Sequence, residues 1–587
     1  MTGRGLAMGC AVGLALLACG DPDPVTVVVV TVRARPAVTR LARLAVTVRN
    51  ATAAVSEQFD LEGRAPPVTF TVTPTGRAGD LTVEVDGLDG EGALRGRGAT
   101  TVAIVPDGRA DADVLLEPTD FPINDAIAGT QRLTFDPNLS GRQLAPLADG
   151  FVATYVNDCA TLGRCDVLAR RFDATGTPAV NDTTMDDGEF IANRTDEFTA
   201  VPAVASNGTT ALIAWQTSDA IKAVAITDRG AHVSAFETVV STGGQSPRAP
   251  AVTALATGEY LVAWIESDGD GGAFVRGRLL SSQGQPVTNT VTGDDLDFAV
   301  SGPESGRADL PHVAGGPTGR SFVAVWTQAD DFFAPANVRA RFFRDDGTPA
   351  SVGNARITTF ADGDAFAPKV VALSADTALI AYNVRTGDDP RLAAGALVIG
   401  RYAAPNGAAV GGAIIHPFDI QPAFNSTAPA LARRGDGVVG AVWSQCGADG
   451  DGQGCGVWFR ALDPTGLPIG APAIANTTLP GDQDGPSIAA LADAFALAWS
   501  DASMAPPDTD GGGVRGRIVY ADAETTDGHL GARCGRADDA PCDDGLACAA
   551  GADGAPRCWV ACDPAAAVPC PLGGACTTAG DTAVCLY

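Results

Sequence analysis

An all-β chain in three modules is the fold class this sequence predicts, on three observations. Glycine supplies 70 of 587 residues, about 12% against a usual figure of about 7%, and so many turns indicate strands. The centre of the chain repeats one unit of about 55 residues. Eight cysteines crowd between Cys534 and Cys585 in two successive copies of one spacing. A hydrophobic content of 45% supports real cores and excludes wholesale disorder. The net charge of −29 argues against duplex nucleic acid, which needs basic patches. Among the 40 basic residues only Lys222 and Lys369 are lysines. At about 150 residues per domain, the length suggests roughly four domains.

Residues 1–18 carry Arg4 and an apolar stretch from Leu6 to Ala18, too short to span a bilayer. The stretch ends in Leu16-Leu17-Ala18-Cys19. This resembles the lipobox of bacterial lipoproteins. The resemblance implies a signal peptide over 1–18, lipidation at Cys19, a polar tether over 19–24 and a lipid anchor in the membrane. With Gly20 after the cysteine, it points to the outer membrane and the cell surface.

Residues 25–118 hold short strand patterns at Val25–Val32, Leu44–Val48, Val68–Val72, Leu81–Val85, Thr100–Val105 and Ala112–Leu116, separated by turn signals such as Pro74-Thr75-Gly76. So many strands in so short a stretch favour an immunoglobulin-like β-sandwich, serving as a spacer.

Residues 119–530 hold the repeat. Each copy opens with a proline-led apolar segment. An apolar run ending in an aromatic follows, then an Asp/Gly-rich loop, an Arg-containing strand, a Gly-x-Pro turn and a last short strand. The aromatic recurs as Tyr155, Trp215, Trp264, Trp326, Tyr382, Trp443 and Trp499. The proline recurs as Pro202, Pro250, Pro311, Pro368, Pro429 and Pro486, with Arg142 in its place in the first copy. Four strands per copy in seven copies predict a seven-bladed β-propeller. Stacked blades bury both faces of each sheet, so runs such as Phe151–Val156 and Tyr260–Glu266 are continuously apolar. Innermost strands carry small residues, among them Ala203, Ala251 and Ala489. The seventh copy lacks a fourth strand, and Gln131–Phe135 is expected to supply it and close the ring.

In such a meander the loops between second and third strands share one face with the connections between blades. The first set carries Asp158, Asp219, Asp268, Asp270, Asp330, Asp331, Asp388, Asp389, Asp449, Asp451, Asp508 and Asp510. The connections are expected to add Asp186, Asp187, Glu189, Asp294, Asp295, Asp362, Asp364, Asp482 and Asp484. One acidic rim results. Asp268-Gly-Asp270-Gly-Gly and Asp449-Gly-Asp451-Gly resemble calcium loops, which makes calcium a candidate cofactor. Neither has the distal Glu of a complete loop, and solvated turn residues are the alternative.

Residues 531–587 form a duplicated Cys-rich module. Cys534, Cys542, Cys548 and Cys558 make one copy and Cys562, Cys570, Cys576 and Cys585 the other. Units this small need staples. No CxxC pair or histidine lies among them, which disfavours zinc. Pairing within each copy stays open. Cys159 with Cys165, and Cys446 with Cys455, close short loops in the repeat region.

His232, His312, His416 and His529 fall at unrelated repeat positions, and HExxH, GxSxG, P-loop and sialidase-type boxes are absent. The expectation is a lipid-anchored envelope scaffold that binds an envelope protein or glycan through its acidic loop face. The alternatives are a propeller glycan hydrolase or lyase, since a carboxylate pair leaves no local motif, and a structural envelope protein without a ligand.

Overall fold

The computed structural model describes residues 26–521, apart from short stretches in loops, and four later strands, Leu546–Ala550, Pro556–Val560, Ala575–Ala579 and Thr582–Leu586. Two compact units form, Met1–Glu117 and Pro118–Tyr587. Cys19 lies outside the described residues.

The first unit contains β1 (Val27–Ala34), β2 (Arg43–Asn50), β3 (Ala53–Asp60), β4 (Val68–Val72), β5 (Asp80–Leu88), β6 (Leu94–Ala103) and β7 (Arg109–Pro118). Alternating side chains bury one face: Val28, Val30 and Val32 of β1 pack with Leu81, Val83 and Val85 of β5. The expected immunoglobulin-like sandwich is corrected. The strands follow a single path, β3-β2-β5-β6-β7-β1-β4, as a half-barrel sheet. β1 runs parallel to β7, from Val27 opposite Arg109 to Ala34 opposite Leu116. The sheet turns where Gly98 lies so close to β7 that a Cβ there would meet the Leu115 carbonyl oxygen at 2.2 Å. The two edge strands approach through Phe59 and Phe70, stacked with centroids 5.5 Å apart.

The second unit is a β-propeller. The expectation of seven blades is corrected to five separate blades and one double sheet. Four of the separate sheets have four strands and one has five; the third and fourth repeats share an eight-stranded sheet. The join is a parallel bridge from Ala273 to Arg307. It arises because the inner strand Arg307–Gly315 begins beside the outer half of the preceding repeat. Contacts between innermost strands run round the axis, and Gln483–Ala490 of the last repeat packs against Leu144–Leu147 of the first. The aromatic column is buried as expected, with Trp215, Trp264, Trp326 and Trp499 at 0% exposure.

Ring closure also differs from expectation. Phe121–Pro122, not Gln131–Phe135, pairs with Arg515–Gly516 as the outer strand of the last sheet. The later segment passes along the loop face. Gln131 N–H donates to Gly512 O at 2.7 Å, and Arg132 bridges to Val156. The earlier strand wins the outer position because Asn124 next to it accepts the Val514 N–H at 2.7 Å.

Arginines of four third strands clasp the neighbouring repeat. Arg278 donates to Val239 O at 3.1 Å and Val240 O at 3.0 Å on the second repeat's outer strand. Arg341 reaches Val300 O at 3.0 Å, Arg170 reaches Ile123 O at 3.0 Å and Arg517 reaches Ala475 O at 2.6 Å. The forked guanidinium serves two carbonyls at once, which an ammonium point charge does less well. This accounts for the preference for arginine in the repeat.

The outer strand is interrupted in the first four repeats. In the first, Pro178 bridges to Phe172, residues 181–189 bulge out, and Phe190–Ile191 resumes pairing with Leu168–Ala169. Asp186, Asp187 and Glu189 therefore lie on the outer edge, and Asp294 and Asp295 do so in the third repeat. Their expected place in the blade connections is corrected.

Candidate functional site

The loop face is built from a recurring amide pin. At the end of an outer strand, an Asn accepts the first N–H of the third strand and donates to an aspartate of the neighbouring loop. Asn193 accepts Val167 N–H at 2.8 Å and donates to Asp166 Oδ1 at 3.2 Å. Asn476 accepts Val457 N–H at 2.8 Å and donates to Asp451 Oδ2 at 2.8 Å. Asn124 donates to Asp508 Oδ2 at 2.8 Å. Ser241 and Ser301 take the accepting role in the second and third repeats, at 3.0 and 3.1 Å. Second-to-third-strand loops and blade connections do meet on one face, and several of their carboxylates are structural.

The densest polar network on that face joins the last two repeats. Asn476 Nδ2 donates to Gln483 Oε1 at 3.0 Å, and Gln483 Nε2 donates to Asp501 Oδ1 at 3.0 Å. Asp501 Oδ2 accepts from Arg515 Nε at 2.8 Å. Asp482 Oδ1 accepts the Cys455 N–H at 2.9 Å. This fixes Asp482 to the loop closed by the Cys446–Cys455 disulfide. Asp484 is half-buried beside it, and among the described residues no hydrogen bond reaches its carboxylate. Burial pushes the Asp484 carboxyl up to about 6, Arg132 pulls it down, and the charge on Asp482 raises it further. A carboxyl raised by burial beside a second carboxyl group is the arrangement that separates acid from base roles.

The axis carries a second polar cluster that the sequence reading passed over. The short 3-10 turn Pro137–Leu139 packs against the inner strand of the last repeat, at the entrance to the first. Lys369 Nζ donates to Asn138 O at 2.8 Å, and Gln143 Nε2 donates to Leu139 O at 3.1 Å and Pro202 O at 3.0 Å. Val370 N–H donates to His312 Nδ1 at 3.3 Å. Burial holds Lys369 and His312 well below their ordinary values, and burial pushes Arg142 down to about 9. Aligning the residue after each leading proline shows the signal: Ala203, Ala251 and Ala430 are small, whereas Gln143, His312, Lys369 and Ser487 are polar.

The other expected site residues separate. Asp268 and Asp270 lie exposed on one loop. Asp268 Oδ1 turns back to accept the Asp270 N–H at 2.9 Å and the Gly272 N–H at 2.8 Å. Asp451 serves the Asn476 pin. Asp158, Asp331, Asp362, Asp388, Asp389 and Asp449 lie outside the described residues. Among the described residues no three His, Cys, Asp or Glu side chains converge on a metal-sized site. Cys446 and Cys455 are bonded. Cys548 is disulfide-bonded and stands opposite Cys558 across its hairpin. Cys576 stands opposite Cys585. Cys159, Cys165, Cys534, Cys542, Cys562 and Cys570 lie outside the described residues.

No family model and no curated protein matches this chain. The resemblance to a lipobox lipoprotein carrying a seven-bladed array is corrected on the sheets, which form five separate blades and one double sheet; Leu16–Cys19 lie outside the described residues. Solved structures do overlap. A protein of unknown function from Dyadobacter fermentans shares 11% identity over 69% of this chain and 99% of its own, at a TM-score of 0.35. A polysaccharide lyase of family PL25, an ulvan lyase, shares 8% over 67% and 96%, at 0.37. The Hadza microbial sialidase Hz136 shares 10% over 85% and 93%, at 0.36. All three TM-scores fall below 0.5, so the assignment of function is built on the site alone.

Proposed function

We propose that this chain is an extracytoplasmic glycan-handling propeller that takes its ligand on the loop face over the last two repeats. The observation that carries the reading is Asp484, half-buried and, among the described residues, without a hydrogen bond to its carboxylate, beside Asp482 and Arg132. Around it, Asp451, Asn476, Gln483 and Asp501 hold one another in fixed orientations. Carboxylates and amides held this way recognise the hydroxyls of a sugar without the entropy cost of ordering them on binding. The excess negative charge of the chain favours neutral or cationic glycans over acidic ones. The disulfide at Cys446–Cys455 supports a location in an oxidising compartment. A glycan array checks binding. Asp484→Asn is expected to weaken the retained glycan about tenfold or more, and unchanged binding overturns the reading.

Catalysis is the second reading, favoured by the raised Asp484 carboxyl next to Asp482. Here Asp484 acts as the general acid and Asp482 as the second carboxyl of the pair in hydrolysis or elimination at a glycosidic bond. The pH profile of turnover then shows a limb near 6 that Asp484→Asn removes. A glycan library bound but left intact over days leaves the propeller a binding module.

A further inference from the structure

The leading proline of four repeats follows a non-glycine residue of left-handed backbone conformation. Val201, Ala249, Leu310 and Ala367 precede Pro202, Pro250, Pro311 and Pro368 with φ of 52°, 55°, 49° and 50°. Each interrupts the pairing of its inner strand with the next. A left-handed non-glycine residue costs on the order of 1–3 kcal/mol and recurs only where the surroundings hold it. Four at one repeat position mark a built feature. Its product is a set of backbone carbonyls withdrawn from the strand ladder and free to accept elsewhere. In the first repeat the proline is replaced by Arg142, after Gly141 at φ 82°. Arg142 is buried, at 4% exposure. Its Nη1 donates to Pro250 O at 2.7 Å and to Ala249 O at 3.4 Å, and its Nη2 donates to Pro311 O. Among the described residues its Nε is buried without a partner, as is Oδ1 of Asn138. One guanidinium thus draws together carbonyls of the third and fourth repeats from a chain position in the first.

We propose that the propeller axis is a guanidinium-binding site, which the chain fills with its own Arg142 as a tethered ligand. The carbonyls are preformed by the bulges and carry no formal charge, and Asp136 and Asp309 are the acidic groups whose charge acts on the arginine. Nη1 and Nη2 reach carbonyls of two different repeats, so the seat selects a cation that donates in a planar fork over a compact ammonium. Removal of the side chain leaves a cavity lined by acceptors, sized for the guanidinium head group.

Arg142→Ala tests this, with thermal unfolding followed by tryptophan fluorescence. The variant is expected to lose several degrees in Tm. Low-millimolar guanidinium or methylguanidinium is expected to restore at least half of that loss with a saturating dose curve. Sodium chloride and tetramethylammonium at equal ionic strength restore none of it. A folded variant that guanidinium does not rescue, or that all the salts rescue equally, overturns the proposal. Should Arg142→Ala fail to fold, the native protein decides by hydrogen exchange. Exchange of the Arg142 guanidinium protons, identified by their loss in Arg142→Lys, is slowed at least as much as that of core amides if the seat is occupied. Exchange as fast as that of the exposed Arg97 overturns it.

Discussion

The half-barrel and the propeller use the same residue types in opposite ways. In the half-barrel only one face is buried, and arginines pair with carboxylates on the wet face. Arg97 meets Asp86 at 2.6 Å and Arg33 meets Asp113 at 3.4 Å, with most of both arginines in solvent. Such pairs contribute about 0–1 kcal/mol each. In the propeller both faces of each sheet are covered, and arginines such as Arg278 and Arg341 turn to backbone carbonyls of the neighbouring repeat. Losing a buried donor of that kind strands desolvated acceptors. The lesson is that burial, not residue type, sets what an arginine contributes.

The seven tryptophans all lie in the second unit, from Trp215 to Trp559, so their fluorescence follows that unit. The largest effect is expected in the aromatic column: Trp264→Ala should cost about 3–5 kcal/mol in chemical denaturation. Phe59→Ala at the half-barrel edge, 37% exposed, should cost about 1–2 kcal/mol by the area it still buries. Equal costs would remove the distinction between the two units. Next in size, Arg278→Met should cost about 2–4 kcal/mol, against about 0.5 kcal/mol or less for Arg97→Met.

Glycines differ between the two units in the same way. Gly141 has φ 82°, and a Cβ there meets the Ala430 Cβ at 2.9 Å. Gly141→Ala should cost about 2–3 kcal/mol from conformation and crowding together. Gly79 in the half-barrel has φ 85° and nothing within 4 Å, so Gly79→Ala carries the conformational part alone, about 1 kcal/mol.

The smallest effect is a histidine-linked pH dependence, and the second unit holds all four histidines. Burial lowers His312 and His232 below the ordinary value, so below about pH 6.5 the unfolded chain binds protons that the folded chain refuses. Stability is therefore retained above that pH and falls as pH drops through it. The slope is at most about 1.4 kcal/mol per pH unit for each histidine. His312→Gln should flatten the propeller's acid limb and leave the half-barrel transition where it was.

Much of the propeller was legible because its repeat is a pattern of packing. The aromatic column and the continuous apolar strands report burial on both faces, and burial is a property of each residue's own chemistry. The arginine of the third strand was visible as a recurring letter, but its role was not, since its carbonyl partners carry no sequence signature. Phe121–Pro122 could not be told from Gln131–Phe135 as the closing strand, because both are short and two residues suffice to pair. Asp186 and Asp294 were placed in the wrong loops for a related reason: an outer strand broken by an excursion looks, in sequence, like a strand that has already ended. Asp484 was visible as one carboxylate among many, and only the fold shows it half-buried beside Asp482.

The sequence by itself determined that this chain is all-β, that its centre is a propeller, and which aromatics form its core. These follow from periodicity and hydrophobicity, which act locally and repeat. Tertiary structure alone decided how many repeats stand as separate sheets, which strand closes the ring, and that Arg142 sits on the axis. Those outcomes depend on backbone groups meeting across long stretches of chain, and every residue carries the same backbone donor and acceptor. Side-chain order cannot encode a choice among identical partners; only the packed geometry makes it.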